Sequence, residues 1–69
     1  MLFRSEQLVA IAEFVDRTAA EVAWSRLTDA GIPANMLTDP GVLGGPALTR
    51  VQVARGHAAD AQRLIADLV

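Results

Sequence analysis

The segment 18–30 carries a helix start signal at one end and a stop signal at the other, and it lies between two short apolar runs. Thr18 stands three residues before Glu21, the spacing of a capping box in which each side chain satisfies the other residue's free backbone N–H. Gly31 follows as the left-handed residue that ends a helix, and Pro33 cannot continue one. Within the segment, Ala19, Ala23, Leu27 and Ala30 fall on one stripe, with Val22 beside it. The run 8–15 is apolar at every position but Glu13 and reads as a strand with both faces covered. That pattern fits a central place in a sheet or a subunit contact on one face. The run 32–38 reads as a second strand, with Ile32, Ala34 and Met36 on one side and Asn35 and Leu37 on the other. Pro33 lacks an N–H, which puts the start of this strand at a sheet edge.

A strand–helix–strand unit crosses over right-handed, and the rest of the chain completes its sheet. Residues 39–46, DPGVLGGP, form a loop. In the run 49–55, Val51 and Val53 point inward while Arg50 and Gln52 point outward. A second helix is expected over 57–68, its inner face made by Ala58, Ala61, Leu64, Ile65 and Leu68, with Asp60 favoured in its first turn by the helix dipole. Residues 1–7 read as an irregular lead-in to a single domain spanning 1–69. The order β-α-β-β-α gives an α+β fold, a ferredoxin-like split β-α-β with a three-stranded sheet and two helices on one face. The first strand then lies beside the third, and its other edge is the place a fourth strand would have taken. A vacant apolar edge is a liability unless something pairs with it.

Size argues in the same direction. A domain of 69 residues buries only about 60% of the surface its unfolded chain exposes, so it is marginal alone. There is no Cys for a disulfide or a thiolate–metal staple, and self-association is the remaining remedy. A homo-oligomer, with a dimer favoured, is therefore expected.

Composition excludes more chemistry than it suggests. All six basic residues are Arg, and 13 residues are Ala, a composition typical of GC-rich bacterial coding sequences. Without Lys there is no Schiff-base amine and no Walker-type phosphate loop. One His, no Cys and no glycine-flanked Ser leave no nucleophilic constellation. The lone His57 has no second His or Cys with which to bind a transition metal, and no cofactor is expected. Net charge is −2 and the arginines are scattered, which argues against nucleic acid. No apolar run is long enough to cross a bilayer, and the N-terminal residues lack the pattern of a secretion signal, so a cytoplasmic location is the expectation.

What remains are binding surfaces. Val42, Leu43, Gly44 and Gly45 lie at the tip of the loop, where exposed apolar side chains are available to a protein partner. Arg50, Arg55 and His57 are the candidates for contacting an anion or nucleotide at a subunit boundary, with Gly44 and Gly45 allowing close backbone approach. Trp24 either edges the core or anchors an interface. Arg26 and Arg63 read as solvated helix positions.

The segments VAIAEFVDRTAAE, from residue 9, and LTDAGIPA, from residue 27, resemble the small prokaryotic signal transducing protein family, whose pattern is a strand, a turn with Asp, a helix and then A-G-I-P-A. Val51-Gln52-Val53 and the terminal helix follow the same order, so the resemblance covers nearly the whole chain. It departs at Arg55-Gly56-His57, where members often have a Val-Pro-Glu-type entry to the last helix. The resemblance implies a ferredoxin-like fold distantly similar to PII signalling proteins, and it assigns no catalytic or ligand residues. The expectation is a non-enzymatic regulatory or protein-interaction domain acting as a homo-oligomer. The alternative is a ligand-sensing module with its site at a subunit boundary.

Overall fold

The computed structural model describes residues 7–41 and 43–69. Its order is β-α-β-β-α, an antiparallel three-stranded sheet with two helices, consistent with a small ferredoxin-like fold. The strands are Leu8–Phe14 (β1), Ala34–Asp39 (β2) and Leu48–Ala54 (β3), arranged β1-β3-β2 with β3 central. Helix Arg17–Asp29 (α1) joins β1 to β2, and helix Ala58–Leu64 (α2) follows β3. The expected lead-in over 1–7 lies, except for Gln7, outside the described residues, as does the loop residue Val42.

Asp16, not Thr18, caps α1. Its carboxylate accepts the backbone N–H of Thr18 at 2.9 Å, so Thr18 already sits in the first turn and the box with Glu21 cannot form. Glu21 instead pairs with Arg17 at 3.4 Å, one turn away. The stop is as the glycine signalled. Gly31, at φ 84°, donates to the Thr28 carbonyl at 3.0 Å, and Ile32 donates to the Leu27 carbonyl at 2.9 Å. This pair of hydrogen bonds closes a Schellman motif, with Ile32 and Leu27 both in the core. It also corrects the start of β2. The Ile32 N–H is used by the helix end and Pro33 has none, so the ladder begins at Ala34.

β1 is an edge strand beside β3, as the split β-α-β order requires, and its near-continuous apolar run has a local cause. Ala10 pairs with Gln52 and Ala12 with Val51, so Ile11 is an extra residue in a β-bulge. The bulge lets Val9, Ile11, Ala12 and Phe14 all reach the core from one strand, leaving Leu8, Ala10 and Glu13 outside. At the other edge, the Trp24 indole N–H donates to the Ala34 carbonyl at 2.9 Å. Trp24 is exposed, and its indole covers one polar group at the start of β2.

The core lies between the sheet and the helices: Phe14, Ala20, Ala23, Leu27, Ile32, Val51, Val53, Ala61 and Ile65. The inner face of α1 is Ala20, Ala23 and Leu27, while Val22 and Ala30 are exposed, so the helix is rotated from the expected stripe. Val51 and Val53 are fully buried as their alternation requires. The expected helix over 57–68 is shorter and flanked by 3-10 turns at Arg55–His57 and Ala66–Leu68. Ile65 leaves helical geometry at φ −115°, yet Ile65 is buried and Leu64 and Leu68 still pack against the core. Arg26 is not a solvated residue. It is half-buried and ties α1 to the end of α2 through the Leu64 carbonyl at 3.0 Å and Asp67 at 2.6 Å. Arg63 does point to solvent, paired with Asp60 at 2.6 Å.

Candidate interaction surface

Both helices cover one side of the sheet, and pairing fixes which residues face away on the other. Opposed residues share a face, so the outer side reads in rows: Leu8 with Ala54, then Ala10, Gln52 and Asn35, then Glu13, Arg50 and Leu37, then Leu48 with Asp39. Leu8 and Leu37 are about half exposed here, at 51% and 45%.

The polar groups among them are already partnered within the sheet. Arg50, on the central strand, donates from Nε to Glu13 of β1 at 2.8 Å. Its NH2 nitrogen lies 2.8 Å from the Asp39 carboxylate of β2. The hydrogen bond to Glu13, followed by the charge of Asp39, raises the Arg50 pKa above its ordinary value, so it stays a cation at every physiological pH. Beside this triad, Asn35 donates its side-chain amide to Gln52 at 3.3 Å. The result is a sheet face with satisfied polar groups in its middle rows and aliphatic residues at both ends.

The β2–β3 hairpin extends this face. Asp39, expected in the loop, pairs with Leu48 as the last pair of the ladder. Beyond them the chain narrows: a Cβ on Gly41 would run into the Gly45 carbonyl, so only glycine lets the two arms approach. Leu43, at φ 56°, and Gly44, at φ 82°, turn the chain with two successive positive φ values, the signature of a type I′ turn. Leu43 is fully exposed. A leucine in the left-handed region costs about 1 kcal/mol or more, so the tip is unfavourable in backbone and in hydration together. At the base of the hairpin lies a hollow of about 410 Å³ lined by Asp39, Pro40, Gly41, Pro46 and Leu48.

The structure does not gather Arg50, Arg55 and His57. Arg50 is held by two carboxylates in the sheet, which leaves its surroundings net negative. Arg55 lies past the end of β3, five residues or roughly 16 Å along the chain, with its guanidinium 3.3 Å from the Gln7 side chain. His57 instead lines an open groove of about 500 Å³ with Gly31, Ile32, Asp60, Arg63 and Leu64, between the end of α1 and the start of α2. Gly44 and Gly45 are at the hairpin, with Leu43, and stay with the apolar tip. Sequence reasoning named the loop and the outward Arg50 but missed Glu13, Asp39 and Leu37 as one surface. The alternation of β3 pointed to that face; the register joining three strands was not available from any one of them.

Among the described residues, no group of three or more His, Asp or Glu is placed to hold a metal ion. No helix among them is long and apolar enough to cross a membrane. No family model, curated protein or solved structure matches the chain.

Proposed function

We propose that this chain is a small, non-enzymatic regulatory and protein-interaction domain that works as a homo-oligomer, in cytoplasmic signal transduction. The observation that carries the reading is the hairpin tip. Leu43 is a fully exposed apolar side chain on a left-handed backbone, two costs that an isolated domain has no reason to keep. The outer sheet face supports it, since its polar groups are satisfied internally and its exposed residues include Leu8 and Leu37. Four of the arginines are paired with carboxylates and the net charge is −2, which favours a protein surface over nucleic acid as the partner. The resemblance to the prokaryotic signal transducing family adds the regulatory role.

Sedimentation velocity across a wide concentration range tests the self-association. The expected result is a dimer or larger species that dissociates on dilution. A species of 7.3 kDa at every concentration overturns the reading.

A further inference from the structure

We infer that a second copy of this chain covers the outer face of the sheet, with the strands of the two copies antiparallel, so that Leu48 of one central strand lies on Ala54 of the other. The inference rests on the reading of the chain as a self-associating domain and says which surface does it.

The edges are poor candidates for that surface. The bulge at Ile11 interrupts the β1 edge, and bulges are a device by which edge strands avoid pairing. The β2 edge begins at Pro33, which has no N–H, and the Ala34 carbonyl is taken by Trp24. The outer face has neither obstacle.

Complementarity then chooses the orientation. An isologous pair of stacked faces can keep the strand direction or reverse it. Keeping it, by a two-fold along the central strand, exchanges the edge strands, sets Glu13 on Leu37 and lays Arg50 on its own copy, so cation meets cation. Reversing it about Val51 exchanges the rows. Leu48 then opposes Ala54 on the central strands, while Glu13, Arg50 and Leu37 oppose Ala10, Gln52 and Asn35. Leu48 meets the aliphatic Ala54, and the Gln52 amide meets Arg50 of the charged triad. The Arg50 guanidinium has five N–H groups, so donors remain for the partner's amide oxygens.

Area gives the hairpin a part. Three strands at about 4.8 Å spacing and seven residues at about 3.3 Å make a face of roughly 14 by 23 Å, or about 640 Å² for two copies. A specific interface clears about 1,000 Å². In the reversed stack each hairpin overhangs the Leu8–Ala54 end of its partner, near Gln7 and Arg55. Leu43 and the hollow of Pro40, Pro46 and Leu48 are thereby brought into the contact, which accounts for the exposed leucine at the tip.

The chain has no Cys, so single thiols report contacts cleanly. Leu48→Cys and Ala54→Cys variants are mixed in equal amounts and treated with a short bismaleimide. In the proposed dimer the mixture gives a mixed cross-linked pair far in excess of what either variant gives alone. The two positions are about 20 Å apart within one strand, too far for a link inside one chain. In parallel, Ala10→Glu, at an exposed position that opposes Glu13 in the reversed stack, sets a carboxylate over the partner's Glu13. It is expected to weaken the dimer about tenfold or more at low salt, less at high salt, with an unchanged circular dichroism spectrum. A cross-link of Leu48→Cys with itself, or a dimer indifferent to Ala10→Glu that yields no mixed product, overturns this arrangement while self-association stands. A monomer throughout overturns both.

Discussion

Arg26 on α1 and Asp67 near the end of the chain, 41 residues apart, meet at 2.6 Å, and the same guanidinium nitrogen donates to the Leu64 carbonyl. One arginine thus ties α1 to the C-terminal end of the chain. Its hydrogen bond, ahead of a bond from the Asp67 backbone, holds the Asp67 carboxyl below the usual carboxylate range.

That shift has a definite sign in acid. A carboxyl whose folded pKa is lowered contributes stability that is complete above its unfolded pKa and is lost as pH falls through the folded value. The Asp67→Asn variant is expected to be less stable than the parent at pH 7, with the difference closing toward pH 3. Urea midpoints at several pH values measure it, and a difference independent of pH removes the ion pair as its cause.

Leu43 is the one non-glycine residue with positive φ among the described residues. Leu43→Asn keeps the turn with a residue that adopts this conformation readily, and it is expected to stabilise the folded monomer by about 1 kcal/mol. Denaturant melts at concentrations where the chain is monomeric read the gain. Unchanged or reduced stability shows that the tip is not strained in solution.

Two glycines outside the turn itself separate crowding from flexibility. At Gly41 a Cβ collides with the Gly45 carbonyl, whereas at Gly56 it meets nothing within 4 Å. Gly41→Ala should cost about 1–3 kcal/mol by forcing the hairpin arms apart. Gly56→Ala should be neutral or stabilising by up to about 1 kcal/mol, through a smaller unfolded ensemble. Paired thermal melts suffice, and equal effects would mean that the arms do not approach as described.

The rotation of α1 can be checked by truncation. Leu27 is fully buried, while Val22 is 44% exposed. Leu27→Ala is expected to cost about 2–5 kcal/mol, enough to unfold a marginal domain, and Val22→Ala less than about 1. A large loss at Val22 would restore the helix face that the alanine stripe implied.

The element order, the core strand with Val51 and Val53, and the helix stop at Gly31 were legible in the sequence, because each depends on a residue type and its near neighbours. A glycine past a helix end or a two-residue alternation carries its meaning in a few consecutive positions. The cap was not legible: Thr18 and Glu21 have the spacing of a capping box, yet Asp16 caps the helix through the Thr18 N–H. The covered face of α1 was off by a step, since an alanine-rich helix offers several apolar stripes and the sheet selects one.

What the tertiary structure decided is register. The bulge at Ile11 lets an edge strand send Val9, Ile11, Ala12 and Phe14 to the core. Pairing across β3 assembled Glu13, Arg50 and Asp39, which are far apart in sequence, into one network. Arg50, read from its charge as a contact for anions, became the hub of that network, because two carboxylates reached it first. Residue type and local pattern determined which elements form; the alignment of the strands, a property of no single one, determined which side chains meet and so which surface this domain presents.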